Sequence, residues 1–424
     1  MHILLISQYY HPEPEPIPHQ IGKGMVDRGH RVTVITGIPN YPTGRFFSGY
    51  PLKLRQWEEL DGVRILRLPL YPDHSSSSVK RAACYLSFAL TSSCLGALLV
   101  EPADIAFVYH PLTLGITAWW IGLVKKVPYI FNIQDMYPES LTSTGLVTNG
   151  FVVPAVARLA KFIYDKAAAV AVISPGFRKN LIEKGIPEHK IQVVLNWADE
   201  SIYHPVRRDT AMADEFGFTG HFNILYAGSM GPPQGLHNLL KAASLLRDIP
   251  DLQFVLIGDG LERPMLEATA AELGLRNVRF LHRQPASRMP AFYALADALL
   301  VHLIDDPLFE ITIPSKTQSY LACGRPLLTS VKGDAADLAV SAGAAVTAQP
   351  SDPVDLARAA MQLYEMNPAQ RQRMGEAGRK FFLENLTMNR LLDEYEDLFR
   401  RMARDKRRTR RTDSGQFVCG SSGA

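Results

Sequence analysis

The sequence predicts an α/β protein made of two wound domains, each a parallel sheet covered by helices. Short runs of branched or apolar residues alternate with helix-length stretches in the first half, and the alternation restarts after the turn-rich segment 196–219. This pattern is typical of parallel strands joined by helical crossovers. A chain of 424 residues accommodates two or three domains of roughly 150 residues each. The hydrophobic share of 47% and the charged share of 21% exclude a largely disordered chain.

The predicted strands fall into two groups. In the first half they are Ile3–Ile6, Arg31–Thr36, Val63–Leu68, Ile105–Tyr109, Tyr129–Ile133, Val170–Ile173 and Ile191–Leu195. In the second half they are Asn223–Ala227, Gln253–Ile257, Val278–Leu281, Ala298–His302 and Pro326–Thr329. The N-terminal run is too short and lacks the leading cations of a signal peptide, so we interpret it as a buried strand. Wound sheets bind ligands at the carboxyl ends of their strands, so we expect chemistry in a cleft between the domains.

The C-terminal region is predicted to be helical and to end in a basic tail. We place the first domain at 1–205, the second at 206–385, a final helix at 386–403 and a disordered tail at 404–424. The tail accounts for the formal net charge of +3, and the remainder of the chain is slightly acidic. Such a tail either binds an anionic membrane surface or is simply solvated. Without interleaved aromatic residues it does not indicate nucleic-acid binding.

The most apolar window, residues 84–100, contains no charged residue and follows Lys80 and Arg81. Its large apolar residues are Leu86, Phe88, Leu90, Leu95 and Leu98. We interpret it as a helix that docks on a membrane while the basic residues before it face anionic headgroups. A core helix is the alternative. A membrane span is disfavoured, because the flanking segments are predicted strands of a soluble sheet.

Two glycine-rich turns follow predicted strands of the second domain. Gly228 and Gly231 lie in the turn Tyr226–Gly235, and Gly258 lies in Val255–Gly260. Glycine lets backbone N–H groups approach an anion, and the helix after each turn adds a favourable dipole. Neither turn fits the dinucleotide fingerprint, so NAD binding is disfavoured.

A third phosphate signal lies in Phe309–Pro326. Pro314 is a good helix opener, and it places Ser315 and Lys316 in the first turn. A cation in that turn is electrostatically unfavourable unless an anion faces it. The pattern therefore indicates a phosphate site, with a solvated lysine as the alternative.

The second-half motifs, in this order, resemble those of the family 4 glycosyltransferases, which are retaining enzymes of the GT-B fold. They are the Gly228–Gly235 turn, Leu256-Ile-Gly-Asp-Gly-Leu-Glu, Asn277-Val-Arg-Phe-Leu, Pro314-Ser-Lys and Tyr320-Leu-Ala-Cys-Gly-Arg-Pro. In the first half, Thr36–Gly44 and Asn132–Ser140 resemble the WbuB/WcaI-type subgroup that builds bacterial surface polysaccharides. The resemblance covers residues 1 to about 400 and implies two Rossmann-like domains facing across a cleft, with C-terminal helices returning toward the first.

The resemblance implies a nucleotide-sugar donor on the second domain, with UDP favoured over GDP. The implied donor-site residues are Gly228, Ser229, Gly231, Ser315 and Lys316 at the diphosphate, Gly258 and Asp259 at the base and ribose, Ser319 at the ribose, and Glu310 at the sugar. Lys316 is implied to stabilise the leaving diphosphate, which is a catalytic role.

The donor motif departs from the family pattern in two places. Many members carry two glutamates separated by seven residues, but here Ser319 takes the second position and Ile311 the first, with Glu310 one residue away. Ser229 and Gln234 stand where an Arg and a Lys are usual. Either Ser319 and backbone amides take over, or the activity is weakened.

In the first domain, Asp135 follows a predicted strand end. We predict that it orients the acceptor hydroxyl or stabilises positive charge on the sugar, with helix capping as the alternative. Asn40, Tyr41 and Glu139 are predicted acceptor contacts. Three histidines near predicted strand ends are expected to be structural or solvated instead of catalytic: His11, His19 and His110.

Metal and cofactor chemistry are not expected. The chain has no Asp-x-Asp pair, and its four cysteines form no Cys-x-x-Cys motif, which favours a reducing compartment without structural zinc. The resemblance implies a front-face mechanism in which the departing phosphate oxygen accepts the acceptor's proton.

The residues and the resemblance together predict a cytoplasmic enzyme peripheral to the inner face of the cell membrane. Its substrates would be a nucleotide-sugar and a polyprenyl-diphosphate-linked saccharide of surface-polysaccharide assembly. Two alternatives stay open: a nucleotide-sugar 2-epimerase of the same fold, and a non-catalytic partner in an assembly complex.

Overall fold

The computed structural model describes residues 1–75, 77–143 and 151–415, with side chains described up to residue 404. The chain forms two compact units. The first comprises Met1–Ile173, Arg178–Val194 and the chain from Leu392 onward, and the second comprises Ser174–Phe177 and Leu195–Leu391. The sequence places the first boundary at 205, whereas the structure places it after Val194. The reason is that Ala198 is buried in the core of the second unit and Tyr203 packs against that core.

The first unit is built on an eight-stranded sheet. Its strands are β1 His2–Ser7, β2 Arg31–Gly37, β3 Gln56–Leu60, β4 Val63–Leu68, β5 Ile105–Tyr109, β6 Tyr129–Ile133, β7 Ala169–Val172 and β8 Ile191–Val193. The strand order is β3-β4-β2-β1-β5-β6-β7-β8. Every residue of β1 and β5 is buried, as expected for parallel strands covered on both faces.

Strand β3 was not predicted from the sequence. It is the antiparallel edge of the sheet and pairs with β4. The two are joined at Asp61 and Gly62, whose φ angles of 50° and 74° are those of a type I′ hairpin turn. Its sequence, Gln-Trp-Glu-Glu-Leu, has no apolar run because an edge strand is partly exposed.

The helices of the first unit cover both faces of this sheet. They are α1 Pro16–Asp27, α2 Ser78–Leu99, α3 Leu114–Lys125, α4 Glu139–Ser143, α5 Val152–Lys166 and α6 Pro175–Glu183. The first residues of α6, up to Phe177, group with the second unit. Helix α2 starts before the predicted window, because the Ser77 hydroxyl caps it by accepting from Lys80 N. Helix α2 contains a π-helical turn at Ser92–Gly96 and contacts α3 there. The Ser92 hydroxyl lies 2.9 Å from the Thr117 hydroxyl of α3.

The apolar surface predicted for α2 is narrower than the sequence indicated. Phe88 is fully buried and Leu95 is half-buried. Leu86, Leu90 and Leu98 are 57%, 65% and 79% exposed. By length and composition alone α2 could cross a membrane, but its inner face belongs to the core of the first unit.

The second unit is a six-stranded, wholly parallel sheet ordered β11-β10-β9-β12-β13-β14. Its strands are β9 Phe222–Ala227, β10 Leu252–Ile257, β11 Val278–Leu281, β12 Ala298–His302, β13 Leu327–Ser330 and β14 Ala345–Ala348. Its helices are α7 Thr210–Phe216, α8 Leu236–Leu245, α9 Arg263–Glu272, α10 Met289–Leu295, α11 Pro307–Glu310, α12 Ser315–Ala322, α13 Asp334–Ser341, α14 Pro353–Glu365 and α15 Pro368–Asn385. The strand order reverses between β9 and β12, and the carboxyl ends of strands at such a reversal are where wound sheets commonly bind ligands.

The last helix, α16 Met388–Gly415, joins the first unit from Leu392 onward. Tyr395 packs on Phe107, with ring centroids 5.3 Å apart, and its hydroxyl accepts a 2.9 Å hydrogen bond from Asn132 Nδ2. The predicted return of the C-terminus to the first domain is therefore confirmed. The predicted disordered tail is wrong as far as Gly415, because lysine and arginine are good helix formers. Residues 416–424 lie outside the described residues.

Candidate active site

The two glycine turns of the second unit lie against each other at the carboxyl ends of β9 and β10. Gly228 N donates to Ile257 O over 3.0 Å, and Met230 N donates to Asp259 O over 2.9 Å. A Cβ added at Gly258 would lie only 1.9 Å from Gly228 O. Glycine is therefore required there so that the two turns can pack together.

Lys316 lies beside the Gly228 turn, in the first turn of α12. Its Nζ is 3.7 Å from the ring centroid of Tyr226, and a Cβ added at Gly228 would lie 2.9 Å from it. Among the residues that the structure describes, the ammonium has no carboxylate partner. Burial lowers the pKa of Lys316 to about 7, because the charged form loses hydration that no anion replaces.

Three side chains that sequence reasoning missed hold this arrangement in place. The Tyr226 hydroxyl donates to Ser229 O over 2.6 Å, and the Tyr320 hydroxyl accepts from Ala227 N over 2.9 Å. His302 Nδ1 lies 2.6 Å from Gln234 O. Burial lowers the pKa of His302 to about 4, so the imidazole is neutral and carries its proton on the Nδ1 that faces the carbonyl. Tyr226 and His302 lie at the carboxyl ends of predicted strands. That position is the feature of the sequence that could have identified them.

The other predicted donor residues differ in their exposure and in whether their polar groups are already hydrogen-bonded. Ser229, Asp259 and Ser315 are exposed. Gly231 N donates to the Gln234 side chain over 3.1 Å, so Gln234 shapes the turn. The Ser319 hydroxyl is buried and donates to Lys316 O over 3.0 Å, and it is therefore already engaged within α12.

Glu310 ends α11 on the segment between β12 and α12. Its backbone is held close to Gly333, where an added Cβ would lie 2.0 Å from Glu310 O. Its side chain is exposed, and among the described residues the carboxylate makes no ion pair or hydrogen bond. It is thus available to a ligand, although no contact joins it to Lys316.

In the first unit, Asp135 lies at the carboxyl end of β6 and pairs with His110 at the end of β5. Asp135 Oδ2 is 3.4 Å from His110 Nε2, and Tyr137 stacks on the imidazole at a centroid distance of 6.1 Å. Burial lowers the pKa of His110, and the Asp135 charge partly opposes that shift. His110, expected to be structural, thus lies beside the predicted catalytic carboxylate.

The predicted acceptor contacts differ in accessibility. Glu139 Oε1 lies 2.7 Å from Lys184 Nζ, so its carboxylate is already paired. Asn40 is completely buried, with Nδ2 donating to Ile38 O over 2.9 Å. Its side chain therefore positions neighbours instead of meeting a ligand. Tyr41 is half-buried.

The second-unit arrangement is suited to an anion. Exposed backbone of the Gly228 turn lies beside Lys316, which has no carboxylate partner in the part of the chain that the structure describes. A fixed cation of this kind stabilises charge that develops on a departing phosphate. Within the described residues, no three His, Cys, Asp or Glu side chains are grouped so as to hold a metal ion.

The low pKa of Lys316 predicts proton-coupled binding of a nucleoside diphosphate. An anion beside the ammonium raises its pKa, so the complex binds more protons than the empty protein. Affinity for UDP should therefore fall as pH rises above about 7, by up to about tenfold per unit. Calorimetry at about pH 8 in buffers of different ionisation enthalpy should show proton uptake, and Lys316→Met should abolish it. Identical enthalpies in all buffers would contradict this prediction.

Comparison with known proteins covers both halves of the chain. The profile of the "Glycosyl transferase 4-like domain" matches residues 14–197, and that of "Glycosyl transferases group 1" matches residues 208–381. WcaI of Escherichia coli, named as a colanic acid biosynthesis glycosyl transferase, is 29% identical over 338 residues, which are 76% of this chain and 82% of WcaI. WbjE of Pseudomonas aeruginosa, named as a glycosyltransferase, is 26% identical over 61% of this chain and 65% of its own length.

The fold has solved counterparts. The structure of HepE of Anabaena in complex with UDP superposes with a TM-score of 0.71 and 15% sequence identity, covering 94% of this chain and 99% of that one. At that identity the likeness shows the fold alone. With two wound parallel sheets and both family profiles matched, the chain belongs to the group 1 glycosyl transferases of family 4 and has the GT-B fold.

Proposed function

We propose that this chain transfers a sugar from a nucleoside-diphosphate donor to a lipid-linked saccharide during bacterial surface-polysaccharide assembly. The observation that carries the proposal is Lys316, a cation beside two packed glycine turns that has no counter-ion among the described side chains. The names of WcaI and WbjE support the reaction class. The term colanic acid in the name of WcaI supports a polysaccharide product.

The donor is proposed to bind the second unit through its diphosphate, with UDP favoured. Lys316 supplies the positive charge. The Gly228 turn supplies the Ser229 N–H, because Gly228 N, Met230 N and Gly231 N already donate within the protein. As the anomeric C–O bond breaks, negative charge grows on the leaving phosphate, and a preorganised cation in a partly desolvated site lowers the barrier. Glu310, with its free carboxylate, is proposed to accept from donor-sugar hydroxyls. Gly258 and Asp259 are proposed to border the base and ribose.

The acceptor is proposed to bind the first unit. Asp135 and His110 orient its attacking hydroxyl, and the departing phosphate oxygen takes the hydroxyl proton on the same face of the sugar, so the anomeric configuration is retained. This proposal needs no metal ion, because Lys316 supplies the charge that a metal would otherwise carry.

A transfer assay tests the proposed reaction. Purified protein is incubated in EDTA with UDP-sugars, GDP-sugars and a lipid extract that carries diphosphate-linked saccharides. The expected result is sugar incorporated into the lipid fraction, with the donor's anomeric configuration seen by NMR. An absolute requirement for magnesium, or an inverted linkage, would overturn the corresponding part of the proposal. An interconverted nucleotide-sugar without transfer would indicate an epimerase.

Helix α2 is proposed to hold the enzyme peripherally at the cytoplasmic face of the membrane. Its exposed leucines form a strip whose opposite side is fixed in the core, so the helix lies on a bilayer instead of spanning it. Trp120 and Leu123 on the adjacent helix α3 are also exposed, by 43% and 56%, and extend the apolar area. The basic tail is a further proposed membrane contact.

Substituting the three exposed leucines of α2 tests this docking. The triple variant Leu86→Glu, Leu90→Glu and Leu98→Glu should lose most binding to anionic liposomes, since each substitution removes apolar burial worth about 1.5–3 kcal/mol. The matched control makes the same leucine-to-glutamate change at Leu245, Leu261 and Leu273 of the second unit, which are 57%, 91% and 42% exposed. Co-sedimentation that is equally reduced in both triple variants, or in neither, would count against docking through α2.

A further inference from the structure

We propose that Arg81, His74 and Tyr41 form a subsite for the diphosphate group of an isoprenoid-linked acceptor. The subsite lies at the carboxyl edge of the first sheet, where the chain enters α2. This inference rests on the proposed function, which supplies a lipid-linked acceptor but assigns no residue to its phosphates.

Arg81 is a partly buried cation without a partner. It lies in the first turn of α2, where no acidic residue is present. Within the described residues its guanidinium makes no ion pair or hydrogen bond, and it is only partly exposed. Taking a charge out of water without a counter-ion is unfavourable, so the position favours an anion supplied by a ligand.

The loop that carries His74 leads directly into the first turn of α2, and the Arg81 charge acts on groups from two loops. Burial lowers the pKa of His74, and the Arg81 charge lowers it further. Burial raises the pKa of Tyr137, and the Arg81 charge opposes that shift. His74 comes from the loop after β4 and Tyr137 from the loop after β6, and both loops follow the carboxyl ends of strands of the first sheet.

Three rings, which we call the ring cluster, pack together beside the loop that leads into α2. The Tyr41 ring lies 5.0 Å from those of Tyr9 and His74, and Tyr9 lies 5.7 Å from His74. They come from the loops after β1, β2 and β4, three neighbouring strands. Rings of this kind offer apolar faces with polar edges, which suits the junction between a hydrocarbon chain and a phosphate.

Glu13 holds in place the loops that carry two rings of this cluster. It is 4% exposed, and its Oε1 accepts 2.8 Å hydrogen bonds from the backbone N–H groups of Asn40 and Tyr41. Its Oε2 accepts a 3.1 Å hydrogen bond from Tyr10 N. One buried carboxylate thus ties the loop after β1 to the loop after β2, and the ring positions are set before any ligand binds.

The hydrogen bonds of Asn40 define the orientation of His74. Asn40 Nδ2 is used by Ile38 O, so Asn40 Oδ1 is the acceptor that lies 3.1 Å from His74 Nε2. His74 therefore carries a proton on Nε2, and Nδ1 is the nitrogen left for a ligand. An anion would favour protonation of Nδ1, which then donates alongside Arg81.

The course of α2 favours a phosphate that carries a hydrocarbon chain. The helix that carries Arg81 in its first turn continues with exposed Leu86 and Leu90. A ligand with an anionic head and an isoprenoid chain would match this sequence of a charge followed by an apolar strip. Free pyrophosphate would use only the first part, and an anionic phospholipid headgroup carries one phosphate instead of two.

Calorimetry with geranyl diphosphate tests the subsite without requiring turnover. Saturating UDP occupies the donor site, and geraniol, inorganic pyrophosphate and a soluble short-chain phosphatidylglycerol serve as comparison ligands. We expect geranyl diphosphate to bind most tightly. Arg81→Gln should weaken it by about tenfold or more, as expected for loss of a charged hydrogen bond, and Arg81→Lys should restore part of the affinity. Lys80→Gln, which removes an exposed neighbouring cation, is the matched control.

Three outcomes would overturn the inference. Equal affinity of the wild type and Arg81→Gln would exclude the residue, and equal losses in Arg81→Gln and Lys80→Gln would mean a diffuse basic surface. Pyrophosphate or phosphatidylglycerol binding as tightly as geranyl diphosphate would exclude the isoprenoid diphosphate class. Thermal unfolding of Arg81→Gln should match that of the wild type, because no described residue depends on the guanidinium. A wild type that binds geranyl diphosphate but not UDP would contradict the proposed donor site while leaving this subsite intact.

Discussion

Replacing Lys316 with alanine is expected to lower kcat/KM for sugar transfer by about 100- to 1000-fold, the usual cost of removing a preorganised group that stabilises transition-state charge. The reason is that Lys316 is the cation at the packed glycine turns, and its contact with Tyr226, 3.7 Å from the ring centroid, holds it in position. Steady-state rates with a fixed lipid acceptor measure the effect. Lys316→Arg should retain part of the activity, because it keeps the charge but not the geometry.

The matched control is Lys332→Ala. Lys332 is a half-exposed cation of the same unit, paired with Asp305 over 2.8 Å. It should change kcat/KM by less than about threefold, because exposed ion pairs contribute little. Similar losses in both variants would mean that Lys316 acts through general charge or stability and not at the donor.

Substituting Gly258 with alanine is expected to disrupt the second unit at the same point. The added Cβ would lie 1.9 Å from Gly228 O, at a φ of +154°, so the two glycine turns must move apart. Overpacking and backbone strain together should cost about 2–5 kcal/mol. We expect a lower Tm and at least a tenfold loss in UDP affinity, about 1.4 kcal/mol, measured by calorimetry below the unfolding transition.

The control variant Gly274→Ala separates the effect of backbone strain from the effect of steric overlap by the added Cβ. Gly274 has a φ of +62° with no atom within 4 Å of the added Cβ, so it should show only the smaller cost of a left-handed residue, about 1 kcal/mol. If Gly258→Ala binds UDP as tightly as Gly274→Ala does, the packed turns are not part of the donor site.

Much of the fold could be predicted because a buried parallel strand can be recognised from its own short stretch of apolar sequence. Ile105–Tyr109 is a continuous apolar run and Ala298–His302 is apolar up to its final histidine. Both are buried throughout, and the structure gives them the predicted bounds. β14, Ala345–Ala348, was not predicted, because alanine and threonine carry too little apolar signal and the strand is at an edge. The domain boundary was displaced because contacts with a core, and not turn composition, decide which unit Ala198 joins.

The site could be predicted only in part, for a related reason. The glycine turns and Lys316 were found because glycine and a misplaced charge are visible in short motifs. Glu13 was not, since its role depends on three backbone N–H groups from two loops that are separate in sequence. His110 was considered structural because its pairing with Asp135 requires adjacent strands β5 and β6. Asn40 was read as a ligand contact because burial is not visible in a Pro-bounded turn.

Calorimetric titration of UDP, GDP and ADP into the purified protein in EDTA is the decisive experiment for the donor site. A nucleoside-diphosphate site at the Gly228 and Gly258 turns predicts that one of the three binds with a Kd of about 1–100 μM, near −8.2 to −5.5 kcal/mol, without added metal. That binding should disappear in Lys316→Ala. No binding of any of the three by folded wild-type protein would contradict the donor site, and would favour a non-catalytic role in which Ser229, Gln234 and Ser319 no longer support nucleotide binding.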